Sequence, residues 1–314
     1  MISARSFLRL LRGTRGVPKA LYGGIVTLGS FDGVHRGHQT LISRTLERAR
    51  AEGRPAVIVS FEPMPREYLS PDTAPARLTN FRERWRLLER SGLDAFVLMR
   101  FNEALRRLSG TAFLQLLVKD LGVAGIIVGH DFRFGRDGEA DAAFLQASSE
   151  GGKFWVEVIE SVRLGIDRVS SSELRAALSE RDLPRAAYLL GRPYTMRGRV
   201  VVGQQLGRTL GFPTANIRVR RRRLPLSGVF AVRVHGIERS PLGGVASLGT
   251  RPTVGGLEPL LETFVFDFSG DLYGRELEIE FVAHLRDELR FENVDLMVVQ
   301  MQADSRTARE LVKK

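Results

Sequence analysis

The stretch Gly24-Ile25-Val26-Thr27-Leu28-Gly29-Ser30-Phe31-Asp32-Gly33-Val34-His35-Arg36-Gly37-His38 decides the reading of the N-terminal half of this 314-residue chain. An apolar, β-branched run enters a turn containing Gly29, Gly33 and Gly37. Residues 39–52 then set Leu41, Ile42, Thr45, Leu46 and Ala49 on one helical face. Strand, glycine-rich turn and helix in that order leave free backbone N–H groups at a helix N-terminus, where anions are favoured. Two histidines spaced i and i+3, His35 and His38, can face one way. Taken alone, they read equally as surface histidines beside an ordinary turn. A zinc pair is a further option, with no obvious third ligand nearby.

Outward from this stretch, apolar runs at 56–61, 95–99 and 125–128 alternate with helical patterns at 81–90, 111–121 and 141–148. That alternation predicts a parallel α/β sheet, with ligands at the carboxyl ends of its strands. Helices follow at 171–179 and 183–190, and Gly191-Arg192-Pro193 breaks the second. Beyond the break, short alternating runs at 199–202, 228–234, 244–248, 261–268 and 276–282 are separated by Gly and Pro. Helical pattern returns over 294–311. The second half therefore reads as a small β-barrel or sandwich with one C-terminal helix. Domains are expected at 1–186 and 187–314.

The chain has no cysteine, which removes disulfides, thiolate metal sites and cysteine nucleophiles and fits a reducing compartment. No run approaches the ~20 apolar residues of a membrane span. The apolar patch Phe7-Leu8-Arg9-Leu10-Leu11 is interrupted by Arg9 and lacks a small-residue cleavage site. It is expected as a helix on the folded domain rather than a secretory signal. The formal net charge of +11 points to anionic partners, either nucleic acid or phosphate-bearing small molecules. Arg218 to Arg223 is basic at all positions but Val219 and reads as a solvated or phosphate-steering loop, with nucleic-acid contact as the alternative.

Three further segments carry polar groups in suggestive patterns. Ser170-Ser171-Ser172-Glu173-Leu174-Arg175 is either a helix N-cap or, with His35 and His38, the other half of a triphosphate clamp. Phe132 and Phe134 around Arg133 could flank a flat ring or pack in the core. Thr214 and Asn216 stand two residues apart, on one side of an extended chain. Both offer hard oxygen ligands suited to phosphate-bound Mg²⁺, although the tetrapeptide Pro213-Thr214-Ala215-Asn216 alone also reads as a turn. There is no P-loop and no protein-kinase motif set.

Taken in order, G-x-F-D-G-x-H-x-G-H at 29–38, F-E-P-x-P at 61–65, V-G-x-D-F-x-F-G at 128–135 and S-S-S-x-L-R at 170–175 resemble one known module. It is the adenylyltransferase module of the bacterial bifunctional riboflavin kinase/FAD synthetases, within the nucleotidylyltransferase superfamily. G-R-T-L-G-F-P-T-A-N-I at 207–217 resembles the signature of the riboflavin kinase family. The resemblance implies a Rossmann-like N-terminal domain followed by a six-stranded antiparallel β-barrel with a C-terminal helix. It implies that riboflavin and ATP give FMN, and that FMN and ATP give FAD and pyrophosphate, both with Mg²⁺.

By the same resemblance, ATP at the first site falls to Gly29, Phe31, Asp32, Gly33, His35, His38, Ser170, Ser171 and Arg175, with His35 and His38 supporting the chemistry. The flavin falls to Phe61, Pro63, Asp131 and Phe132. At the second site the proton-accepting base maps onto Glu262, whose bland alternative is a cross-strand salt bridge. ATP and flavin there fall to Gly207, Arg208, Gly211, Pro213, Arg286 and Phe291, and the metal to Thr214 and Asn216. Ser30 stands where the family commonly has asparagine, Ala140 where it has glycine, and Ser172 where it has threonine. Met64 stands where histidine is usual, and a thioether cannot replace an imidazole N–H donor, so this departure bears on the rate of adenylyl transfer. A cytoplasmic enzyme of small molecules is expected, without nucleic-acid or membrane partners. A chain with only the kinase active, or a basic flavin- or nucleic-acid-binding regulator, are the rival readings.

Overall fold

The computed structural model describes residues 7–203, 210–253 and 256–313. The chain divides into two compact units, one of Met1–Pro75 with Arg84–Ser170, the other of Ala76–Glu83 with Ser171–Lys314.

The first unit is a sheet of parallel strands flanked by helices. Its elements are β1 (Arg9–Arg12), β2 (Ile25–Leu28), α1 (Arg36–Ala51), β3 (Ala56–Glu62), α2 (Pro65–Leu69), α3 (Phe81–Glu89, from Arg84 onward), β4 (Ala95–Arg100), α4 (Glu103–Arg106), α5 (Gly110–Asp120) and β5 (Gly125–Gly129). They continue with β6 (Arg133–Phe134), β7 (Ala140–Asp141), α6 (Ala142–Ser149), β8 (Trp155–Ile159), β9 (Arg163–Leu164) and β10 (Asp167–Arg168). The sheet order is β1-β4-β3-β2-β5-β8. Strand order reverses between β2 and β5, so a crevice opens at their carboxyl ends, where the Gly29 turn begins. The central strands are buried on both faces, which is why they read as continuous apolar runs instead of alternating ones. The patch around Arg9 is not a helix: Arg9–Arg12 pairs in parallel with Ala95–Leu98 as the edge strand β1. Four residues are too few to sustain a helix against an unfilled sheet edge.

The second unit contains α7 (Ser171–Ser179), α8 (Leu183–Leu190), β11 (Thr195–Val201), β12 (Thr214–Arg218), β13 (Gly228–His235), β14 (Leu242–Thr253), β15 (Gly256–Val265), β16 (Glu276–Arg286) and α9 (Val294–Val312). The six strands close as β11-β12-β15-β14-β13-β16, all antiparallel. Closure leaves no unpaired sheet edge. Leu248, Leu261, Ile217, Phe230 and Leu277 fill the interior, each almost without solvent exposure. Helix α9 covers the outer face, with Ala308, Leu311 and Val312 packed against Ala231, Val245 and Phe266. Residues 76–83 join this unit through Arg221, the one internal member of the basic cluster. Its guanidinium donates to the carbonyls of Arg77 (3.1 Å) and Leu78 (3.0 Å) and to Glu83 (2.6 Å). Arg218, Arg220 and Arg222 remain exposed.

Candidate active sites

In the first unit, β2 delivers the chain to Gly29 and α1 receives it at Arg36, with His35 as N-cap. The His35 Nδ1 accepts from the His38 backbone N–H at 3.3 Å, capping the helix. The two imidazoles stack with centroids 3.7 Å apart and planes 18° apart, so the i, i+3 pair does face one way. Gly37 permits this, because a Cβ there would press on the His35 ring and the Val169 carbonyl. Burial, then the neighbouring His35 and Arg84, pushes the His38 pKa well below the usual imidazole value. His38 is therefore neutral at pH 7, and its buried Nδ1 has no hydrogen-bond partner among the described residues.

The turn itself is strained. Phe31 (φ 51°) and Val34 (φ 43°) occupy left-handed backbone that bulky and β-branched residues rarely adopt, beside Gly33 (φ 85°), which adopts it freely. Each such non-glycine residue costs on the order of 1–3 kcal/mol and persists only where its surroundings over-determine it. Here Phe31 is wholly buried and Asp32 nearly so.

The residue that organises these surroundings was not singled out from sequence. Arg84 on α3 is fully buried, and its Nη1 donates to the Ser30 carbonyl at 2.6 Å. Its Nη2 donates to the Phe61 carbonyl at 3.3 Å and to Glu62 at 3.0 Å. The signal was available: Arg84 sits four residues before buried Leu88, on the apolar face of its helix.

The proposed flavin residues Phe61 and Pro63 lie at the carboxyl end of β3 and just beyond it, and Phe61 meets Phe101 edge-on at 6.0 Å. Phe132 and Phe134 stack on each other at 5.5 Å, and Phe134 is a core residue. Asp131 is exposed and ion-paired to Arg168 at 2.6 Å. Met64 is buried at the N-cap of α2, where its N–H donates to Glu67 at 3.1 Å. Ser170 closes the first unit, whereas Ser171 and Arg175 belong to the second, in which the Arg175 Nε donates to the Ala76 carbonyl at 2.6 Å.

In the barrel, strand register assembles the candidate groups. Asn216 on β12 lies opposite Glu262 on β15, Glu262 opposite Ser247 on β14, Ser247 opposite Val229 on β13, and Val229 opposite Arg286 on β16. Directly opposed residues share a face, so this row crosses five strands on one side. In the next row along that face, Thr214 lies opposite Phe264, and Phe264 opposite Val245. Thr214, Glu262, Phe264, Arg286, Phe291 and Asp304 line a single cavity of about 270 Å³. Buried Asn216 sits beside that cavity, against Gly203, where a Cβ would strike its carboxamide. Gly211 adopts left-handed backbone (φ 82°) just before Pro213 and β12. Gly207 and Arg208 lie outside the described residues.

A second group missed by the sequence is Asp304 on α9. Buried and bidentate, it takes the Arg286 Nε at 3.0 Å and Nη2 at 2.8 Å, while Gln300 donates to its other oxygen at 2.9 Å. The Arg286 guanidinium also lies 5.8 Å from the Phe291 ring. No local motif marks Asp304, because its partner is on a strand distant in sequence.

The FAD synthetase family model matches residues 17–173, and the riboflavin kinase family model matches residues 190–312. Bifunctional riboflavin kinase/FMN adenylyltransferases of Escherichia coli and Pseudomonas fluorescens are 42% and 44% identical to the chain. These alignments cover 96% and 97% of this chain, and 97% and 98% of the relatives. The Haemophilus influenzae protein of the same name is 40% identical over 96% of this chain and 98% of its own length. A Streptococcus pneumoniae crystal structure described as a macrolide-efflux protein superposes with a TM-score of 0.82 at 31% identity, covering 96% of this chain and 99% of that one. Among the described residues of this chain, no helix is long and apolar enough to cross a membrane.

Proposed function

The chain belongs to the family of bifunctional riboflavin kinase/FMN adenylyltransferases, and from that premise we propose which of its residues carry each reaction. It phosphorylates riboflavin to FMN and adenylylates FMN to FAD. We assign adenylyl transfer to residues 1–186 and phosphoryl transfer to 187–314.

In the kinase, the ribityl hydroxyl must lose a proton as its oxygen attacks the γ-phosphorus of ATP. Glu262 accepts that proton, and ADP leaves. The observation that carries this assignment is the register row: Glu262 stands opposite Asn216 and shares a cavity with Thr214 and Arg286. The Thr214 hydroxyl, the Asn216 carboxamide and the neighbouring carboxylate make a hard oxygen set that fits Mg²⁺. Thr214 and Asn216 would hold the ion with the ATP phosphates, and the ion would neutralise charge on the transferring phosphoryl group. Arg286, fixed by Asp304, faces substrate phosphate, and Phe291 offers an aromatic surface to the flavin. The test is E262Q, which should abolish FMN formation while leaving conversion of supplied FMN to FAD intact.

Adenylyl transfer needs no base, because an FMN phosphate oxygen is already ionised. It attacks the α-phosphorus, and pyrophosphate leaves with the electrons of the broken bond. Positioning and donated hydrogen bonds are what this step requires. The strained turn at Gly29, Phe31, Asp32 and Gly33 receives the ATP phosphates, and neutral His38 supplies a ring N–H beside the α1 N-terminus. Phe61, Pro63 and Phe132 form the flavin side. Met64 contributes packing and no donor.

A cysteine-free chain that consumes ATP suits the cytoplasm. Nucleic acid is not expected as a partner, since Arg221 of the basic cluster is engaged internally and the exposed arginines suit attraction of phosphorylated substrates.

A further inference from the structure

We propose that Arg84 is a positioning residue for adenylyl transfer, holding the Ser30 carbonyl and so fixing the shape of the glycine-rich turn that receives ATP. The inference rests on the assignment of adenylyl transfer to the first unit.

The argument begins with the Ser30–Phe31 peptide. Two donors converge on the Ser30 carbonyl, Arg84 Nη1 at 2.6 Å and the buried Ser60 hydroxyl at 3.2 Å. In a trans peptide the C=O and the following N–H point in opposite directions. Drawing the carbonyl toward α3 and β3 therefore turns the Phe31 N–H away from them. Phe31 has no solvent exposure, yet its backbone N–H makes no hydrogen bond among the described residues. Buried N–H groups are almost always paired, so a turn that leaves one without a partner keeps its shape only under outside constraint, which the two donors on the Ser30 carbonyl supply.

The same guanidinium reaches the second strand end. Its bonds to the Phe61 carbonyl and Glu62 join the Gly29 turn to the segment that leads into Pro63. One fully buried cation thus fixes the phosphate side and the flavin side of the site together. The positive φ values of Phe31 and Val34 show that the turn does not adopt this shape by local preference. Guanidinium suits the task because its planar fork donates in several fixed directions at once.

The test is a steady-state comparison of wild type, R84M, R84K and S60A, with FMN-to-FAD and riboflavin-to-FMN rates measured on each chain. R84M should lose about a hundredfold in kcat for FAD formation, with a much smaller change in KM for ATP and an unchanged kinase rate. R84K, which keeps a charge able to donate to carbonyl oxygens, should recover part of that loss. S60A removes the lesser donor and should cost about fivefold in the same kcat. FAD formation by R84M at the wild-type rate would overturn the proposal, as would an equal loss of both activities in a folded chain. Should R84M fail to fold, S60A decides, and an unaltered adenylyl-transfer kcat in it overturns the proposal. A wild-type chain that makes no FAD would overturn the underlying assignment, and the inference with it.

Discussion

In the first unit the polar groups proposed for adenylyl transfer sit on a strained turn clamped from behind by a buried arginine, whereas those proposed for the kinase stand mostly on paired strands of the barrel, in neighbouring register rows of one face. The two reactions ask for different things. An FMN phosphate arrives ionised, so its site can be made of donors alone, including a histidine kept neutral by burial. A ribityl alcohol arrives protonated, so its site needs a carboxylate, and a barrel strand places Glu262 opposite Asn216 through backbone hydrogen bonds alone. Rigid pairing suits one acid at one position, while a turn suits several backbone N–H groups converging on phosphate.

The contrast can be broken first at Glu262. Replacing it with glutamine keeps the shape and removes the proposed base, so kinase kcat should fall about a thousandfold. The adenylyl-transfer rate from supplied FMN should not change. Comparable loss in both assays would show that the residue holds the barrel together instead. At the first site, H38A should lower FAD formation about a hundredfold, the scale of a lost transition-state donor, and spare the kinase. Retention of full adenylyl transfer would remove His38 from the chemistry.

A smaller effect sharpens the kinase side. Removing the charge of Asp304 in D304N leaves Arg286 without its bidentate partner, and KM for riboflavin or ATP should rise about tenfold with kcat less affected. Steady-state kinetics with each substrate varied in turn would show it, and unchanged KM values would reduce Asp304 to a packing role. The smallest effect is expected at Met64. M64H introduces an N–H donor at the buried N-cap of α2 and should raise FAD output roughly threefold without altering FMN output. No change would mean that the site already has all the donors it can use.

The turn at 29–38 was legible because strand, glycine turn and helix follow one another locally and each has its own periodicity. The barrel row was legible in part. Thr214 and Asn216 announce their shared face by alternation, but only the pairing of β12 with β15, which are not consecutive in the chain, brings Glu262 beside them. Arg84 and Asp304 escaped because their roles depend on partners far along the chain, Ser30 for one and Arg286 for the other. Arg221 escaped for a related reason. Within a basic run it looks like solvent-facing charge, yet Glu83 and three carbonyls draw it inside. The edge strand at Arg9–Arg12 was hidden by its brevity, since four residues carry too little periodicity to separate strand from helix.

The claim that the reactions use separate residue sets is tested most directly by mixing two defective chains. E262Q and H38A are each supplied with riboflavin, ATP and Mg²⁺, alone and together, and FMN and FAD are separated by chromatography. The account predicts no flavin nucleotide from E262Q, FMN with little FAD from H38A, and FAD at close to the wild-type level from the mixture. A mixture that makes no more FAD than H38A alone would contradict it.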